Sequence, residues 1–439
     1  VWLKAQRILV LQADADAIKG APAEGGPLGS TMAAGVVARH GIAIVAYAAI
    51  WACSVLGEEG LGCRGQGELH AHFCEAWDIA AASGGVVSDV ALAALPGGKR
   101  RTSGPGALHT LPGPLGMVVQ SSPHRASKRP LNTAALNTTF IPFAPDRFHF
   151  GKVRREEVLL CFNPPLDALC GLGDACQKPH AVEPPDAGGR ACTDSGAAVI
   201  INVNPVCRGH ALLVPSATAG HPQVLTAKGV RLGVAFSFLS SPRMWLSFNS
   251  IGAGASVNHL HWQTFFPGDD PEVAFPLAAL MQDNAAPAAA PREGVSLGTT
   301  PPEWPLAGWV FDVAGASEDA ASVEQLSVHV FAFVRRLQDL DMAHNVLLAV
   351  GGTRAIVFPR RVLNQQGTDV SLLQVAGHEV LGWWIVPRAL DFETLNEAAG
   401  AALLRSTALP EEDKLRVLEA LRALGWQLTA AGRRNLDEL

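Results

Sequence analysis

The stretch from Trp245 to Phe266 constrains this chain most tightly: Trp-Leu-Ser-Phe-Asn-Ser-Ile-Gly-Ala-Gly-Ala-Ser-Val-Asn-His-Leu-His-Trp-Gln-Thr-Phe-Phe. Its last part, residues 259–266, is a β-type run, and in a strand alternate side chains point to opposite faces. His259, His261 and Gln263 therefore share one face, while Leu260, Trp262 and Phe266 turn toward a core. Residues 245–249 read as a second short strand. In the loop between them Gly252 and Gly254 leave backbone N–H groups accessible and Ser256 adds a hydroxyl, which suits a phosphate.

A neutral imidazole near pH 7 is a competent nucleophile. It can attack phosphorus and hold a phosphoryl or nucleotidyl group through an N–P bond reactive enough to pass the group on. It then needs a partner that fixes its tautomer, donors around the oxygens that gain charge, and neighbours that keep the phosphate in line. His261 has such candidates in Gln263, Ser256 and the glycine-loop amides. The plain alternative is a sheet on which two histidines and a glutamine are merely solvated. A bare His-x-His does not decide between them. The Asn249-Ser250-x-Gly252-x-Gly254-x-Ser256 lead directly ahead of it favours the chemical reading.

With these residues in place, the sequence resembles the histidine-triad superfamily in its galactose-1-phosphate-uridylyltransferase-like branch, and more narrowly the GDP-hexose phosphorylases. Residues 202–215, Asn-Val-Asn-Pro-Val-Cys-Arg-Gly-His-Ala-Leu-Leu-Val-Pro, are similar to a family hairpin with Gly-His at the start of a strand, and 249–263 to the family's Asn-Ser-Leu-Gly-Ala…Asn-His-Leu-His-Phe-Gln. Lys128-Arg129-Pro130, residues 148–153 and Gly377-His378 add shorter matches, so the resemblance covers roughly 111–395 with gaps.

The resemblance implies an α+β fold with an antiparallel histidine-triad-like sheet, a catalytic half and a degenerate second half. It implies a nucleotidyltransferase acting on a GDP-sugar and inorganic phosphate, with a place in ascorbate biosynthesis or GDP-sugar quality control. By the same resemblance His261 attacks the α-phosphorus, His259 and His210 orient it, and Gln263 holds a phosphate oxygen. Asn249, Ser250, Gly252, Gly254 and Ser256 line the substrate, and Lys128 and Arg129 donate to the diphosphate. His378 is left between a substrate contact and a structural role. Two rivals stay open: a nucleotide-sugar hydrolase in which water accepts the adduct, and a non-catalytic nucleotide-sugar binding protein.

Global properties narrow the field. At 439 residues, 48% of them apolar, the chain has ample material for a buried core. A net charge of −6 argues against a general nucleic-acid footprint, so an anionic ligand must be met by local cations. The eight cysteines contain no Cys-x-x-Cys pair and read as reduced thiols, although an even count permits disulfides. Some uridylyltransferase relatives use such a pair for zinc; no metal and no cofactor are expected here. Residues 41–56, apolar except for Ser54, are the one candidate for a membrane span or signal-like segment, and an Ala-rich helix is the favoured alternative. A cytoplasmic protein is expected, with oligomerisation open.

Three regions follow: a poorly ordered Ala/Gly-rich part over 1–110, a catalytic domain over 111–290, and an α+β half over 300–439. Strands are expected at 115–120, 148–153, 157–162, 198–203 and 210–214, a long surface loop at 163–196, and a helix over 222–240. The Ala/Pro-rich run 283–302 reads as a mobile boundary. Beyond it, a helix from Ser322 through Asp339 buries Leu326, Val330, Phe333 and Leu337. It precedes a hairpin over 345–358 that turns at Gly351-Gly352, and a helix over 411–425 closes the chain.

Overall fold

Short apolar runs rich in Val, Ile, Leu and Phe form the strands, and helices cover the faces that those runs must hide from water. The structure, a computed structural model, describes residues 68–83, 87, 106–125, 138–162, 196–266, 275–281, 287–313, 320–362 and 375–429. Strands β1 (Leu108–Thr110) and β2 (Val118–Ser121) join β13 (Trp383–Val386) in a small sheet, with β2 and β13 parallel.

All other strands among the described residues belong to one ten-stranded antiparallel sheet. Its first half holds β3 (Val158–Phe162), β4 (Ala197–Ile201), β5 (Ala211–Pro215), β6 (Trp245–Asn249) and β7 (Trp262–Phe265). The second holds β8 (Pro287–Arg292), β9 (Val295–Thr299), β10 (Trp309–Val313), β11 (Ala343–Ala349) and β12 (Arg354–Arg360). The strand order is β3-β4-β5-β7-β6-β11-β12-β10-β9-β8. Read from either edge, each half repeats one winding, and they meet where β6 pairs with β11. The expected α+β antiparallel architecture with a second, related half is present.

Helices α1 (Glu68–Ala82), α2 (Ala227–Leu239), α4 (Ala320–Asp339) and α7 (Glu411–Ala423) pack on one face, and α3 (Pro276–Met281), α5 (Ala389–Thr394) and α6 (Glu397–Arg405) on the other. Strand alternation divides the two cores: Leu246, Phe248, Trp262 and Leu348 lie under α2 and α4, while Phe265, Leu347 and Ala349 face the small sheet. Trp262 is fully buried and its indole N–H donates to the Gly229 carbonyl of α2 at 2.9 Å. The helix comes this close because Gly233 has no Cβ; one would lie 2.8 Å from the indole. Removing that ring would cost about 3–5 kcal/mol.

Several elements differ from their sequence reading. Helix α2 starts at Ala227 rather than 222, because Thr226 caps it, its hydroxyl accepting from Gly229 N–H at 3.0 Å. Residues 150–152 form a 3₁₀ turn capped by His149 instead of a strand. The boundary expected to be mobile contains the β8–β9 hairpin, whose turn residues Glu293 and Gly294 both have positive φ, 49° and 78°. Positive φ at both central positions matches strand twist and makes a tight turn possible despite the Ala/Pro-rich composition.

Residues 68–82 and 108–110, expected to be poorly ordered, are a helix and a strand, since Leu69, Phe73 and Trp77 bury one stripe of α1 against the sheet. Cys207 is a free thiol, but Cys161 is disulfide-bonded, which corrects the expectation of reduced cysteines at that position; spacing alone gave no sign of this pairing. Among the described residues no helix is long and apolar enough to cross a membrane. Residues 41–56 and the loop over 163–195 lie outside them.

Candidate active site

The site opens where the sheet's central ladder stops. Strands β6 and β7 pair through Trp245–Phe265, Leu246–Thr264 and Ser247–Gln263, and then separate around the loop of residues 250–258. Gln223, on the segment leading into α2, fills the gap with its side-chain amide. Its Oε1 accepts the N–H of His261 at 3.0 Å, and its Nε2 donates to the carbonyls of Asn249 at 2.9 Å and His261 at 3.3 Å. One buried carboxamide thus supplies the bonds that the ladder no longer makes. The sequence reading passed over it, since a lone Gln before a helix carries no local signal.

His261 is held just ahead of β7 rather than within it. Its Nδ1 lies 2.7 Å from the carbonyl oxygen of His259, an acceptor, so the proton sits on Nδ1 and the lone pair on Nε2. The ring is 4% exposed, with Phe150 edge-on at 5.0 Å.

His259 was expected to share the ring face of His261. Instead the strand begins at Trp262, and the His259 ring turns into a pocket of Phe143, His149 and Phe150, stacked on Phe150 at 5.4 Å. Its Nδ1 accepts the Phe150 N–H at 2.9 Å. Burial, then the neighbouring His261, His149 and His221, push its pKa down to about 3, so the ring stays neutral. His259 therefore fixes the tautomer of His261 through its backbone carbonyl, not its ring.

Gln263, half-buried, sits between Leu212 of β5 and Ser247 of β6. His210, fully buried before β5, approaches it from below. The Val206 N–H occupies its Nδ1 at 3.1 Å, which places the ring proton on Nε2, 3.3 Å from its acceptor Gln263 Oε1; Asn202 Nδ2, 2.9 Å from the same nitrogen, is itself a donor and does not take that proton. With Oε1 turned to His210, the Gln263 amide presents its NH₂ as the donor. Asn202 also accepts the Asn204 N–H at 2.9 Å.

Gly252 and Gly254 have φ of 82° and 97°, a region closed to most side chains, and no acceptor among the described residues takes their N–H groups. A Cβ on Gly254 would lie 2.6 Å from that of Ala376, so the loop needs glycine for packing as well as conformation. Ser256 is half-buried. Ser250 is committed elsewhere: its hydroxyl accepts the His344 N–H at 2.9 Å and donates to the Ile251 carbonyl at 3.1 Å. Asn249 is buried, accepts from Asn345 through Oδ1 at 2.7 Å, and has no partner for Nδ2 among the described residues. Lys128 and Arg129 lie outside the described residues.

One cation described here is Arg125, just after β2. It donates to the Asn204 carbonyl at 2.9 Å; burial lowers its pKa and Glu379 opposes that shift. Residues 375–379 reach the site from the second half. Gly377 packs so closely that a Cβ would stand 1.8 Å from Ser247 Oγ. The His378 ring lies 4.3 Å from Phe265 and 5.7 Å from His210.

A neutral, backbone-tethered imidazole among amide donors on an antiparallel sheet is an arrangement able to accept and pass on a phosphorus group. Residues 105–265 match the GDPGP1-like N-terminal domain and 293–422 the GDPGP1-like C-terminal domain. The chain belongs to the GDPGP1-like family.

Among its relatives, GDP-D-glucose phosphorylase 1 of Bos taurus is 30% identical over 337 residues, 72% of this chain and 76% of that one. The Homo sapiens protein of the same name is 29% identical over 333 residues, again 72% and 76%. GDP-L-galactose phosphorylase 2 of Arabidopsis thaliana is 26% identical over 311 residues, 69% and 67%. A solved yeast Ap4A phosphorylase, Apa2, aligns at 16% identity with a TM-score of 0.47, covering 78% of this chain and 99% of that one, a likeness too slight to carry an argument.

Proposed function

We propose that this chain is a GDP-hexose phosphorylase, converting a GDP-hexose and inorganic phosphate to hexose 1-phosphate and GDP. The observation that carries the chemistry is the 2.7 Å contact of His261 Nδ1 with the His259 carbonyl, which leaves Nε2 as the nucleophilic atom. Nε2 attacks the α-phosphorus; the N–P bond forms as the bridging P–O bond breaks and its electron pair leaves on hexose 1-phosphate. The imidazolium of the adduct is stabilised by the same carbonyl. A phosphate oxygen then attacks the α-phosphorus, the N–P bond breaks, and GDP departs with the imidazole restored.

Charge developing on the α-phosphate is met by the NH₂ of Gln263 and the amides of Gly252 and Gly254, with Ser256 beside them. Arg125, Lys128 and Arg129 are the cations assigned to the diphosphate. The names of the relatives support the GDP-sugar and the phosphorolysis; both D-glucose and L-galactose occur among them.

The test is a quench experiment with GDP-hexose labelled at the α-phosphate. Without phosphate, label must stay on the wild-type protein and not on His261→Asn. Adding phosphate must release it as GDP. Release as GMP at an unchanged rate would make the protein a hydrolase, and tight binding with no adduct would make it a binding protein.

A further inference from the structure

The second half of the sheet reaches the site through a chain of amides whose orientations are not free. Arg360 ends β12 and is 1% exposed; its guanidinium has donors only. Nη1 donates to the Val375 carbonyl at 2.7 Å and to Asn345 at 3.1 Å, so the Asn345 atom facing it must be Oδ1. That choice fixes the other end of the Asn345 amide. Its Nδ2 donates to the Ala253 carbonyl in the glycine loop at 2.9 Å and to Asn249 at 2.7 Å, so the Asn249 atom facing it is again the oxygen. Ser247 Oγ, 3.4 Å from the same oxygen, agrees.

What remains is the NH₂ of Asn249, buried at 2% exposure with no acceptor among the described residues. A buried donor left unmade is costly, and its presence marks a place where something else is meant to accept. Asn249 and Asn345 are register partners across β6 and β11 and so share a sheet face. Ser247 lies two residues before Asn249 on that face and pairs with Gln263.

We infer that Asn345 and Arg360 are positioning residues that lock Asn249 with its NH₂, never its carbonyl oxygen, toward the anionic diphosphate of the substrate. The inference rests on the function proposed above. Its physical content is a sign: a free carboxamide can present either end, and the wrong end repels an anion. Arg360, a donor that cannot become an acceptor, sets the sign two amides away.

Asn345→Asp is the informative variant. The carboxylate keeps Arg360 as a partner but can no longer donate, so Asn249 must turn its NH₂ to residue 345 and its oxygen to the substrate. Thermal stability, GDP affinity by calorimetry and phosphorolysis kinetics are measured together. We expect a Tm lowered by a few degrees, because residue 345 also loses its donation to the Ala253 carbonyl, with GDP affinity and kcat/KM, measured well below that Tm, each lowered about tenfold, mainly through KM, and with no further loss when Asn249→Ala is added. Arg360→Lys, still donor-only, should retain most activity, and Arg360→Met should not.

Wild-type affinity in Asn345→Asp, or losses that add fully with Asn249→Ala, would overturn the assignment. So would a loss of affinity that only follows a fallen Tm. If the wild-type protein bound GDP without phosphorolysing GDP-hexoses, the enzymatic reading would fail while the calorimetric arm still judged the amide lock.

Discussion

Gln223 Oε1 accepts the backbone N–H of His261 at 3.0 Å, and the same carboxamide donates to the carbonyl of Asn249 across the gap. One side chain thus holds both lips of the candidate site, the strand that ends at Asn249 and the segment that carries His261. Gln223 also borders a cavity of about 240 Å³ on the helix face with Phe248 and His344.

Replacing Gln223 tests that clamp. Gln223→Leu leaves a buried N–H and carbonyls without partners, and we expect a loss of about 2–4 kcal/mol in stability, read from denaturant midpoints. Gln223→Glu keeps the acceptor for His261 but not the donor. It should lower kcat more than it raises KM, since it loosens the nucleophile without touching substrate.

Stability should fall in mild acid. Burial lowers the pKa of His344 to about 4 and that of His259 to about 3, from 6.5. With the folded values depressed, the unfolded chain takes up protons first. Stability is therefore complete above about pH 6.5 and is lost as pH falls toward 4 and 3. At pH 5 the loss should be about 2 kcal/mol for each ring. Urea titrations between pH 7 and 5 measure it, and His344→Asn should remove one share of the slope.

Gly377 should not tolerate a methyl group. A Cβ there would sit 1.8 Å from Ser247 Oγ and 2.7 Å from its Cβ. Gly377→Ala must push residues 375–379 away from β6, and we expect a Tm loss of several degrees and at least a tenfold fall in kcat/KM. Pairing it with Ser247→Gly should recover much of the Tm. A variant as stable and active as wild type would show that this segment does not line the site.

His210 should act through Gln263. His210→Ala removes the contact to Gln263 Oε1 at 3.3 Å and frees that amide to turn. Phosphorolysis by His210→Ala and Gln263→Ala, singly and together, should show losses that do not add. Fully additive losses would separate the two residues.

Much of the site was legible from local pattern. Residues 262–266 alternate as read, and the glycine loop adopts the positive φ that only its composition permits cheaply. The C-terminal helix and hairpin stand within a few residues of their expected bounds, because a buried stripe of Leu326, Val330, Phe333 and Leu337 and a Val-Gly-Gly turn are properties of neighbouring residues. The role given to the His259 ring was not legible in the same way. Two residues of irregular backbone ahead of β7 turned it into the Phe143–Phe150 pocket and left its carbonyl to do the orienting.

By itself, then, the sequence determined where the histidine segment and the glycine loop sit along the chain, since periodicity and glycine conformation are set by immediate neighbours. Only the tertiary structure decided which donors and acceptors complete them. Gln223 meets His261 across 38 residues and Asn345 meets Asn249 across 96, and such pairings exist only once strand register has been fixed by burying both faces of the sheet.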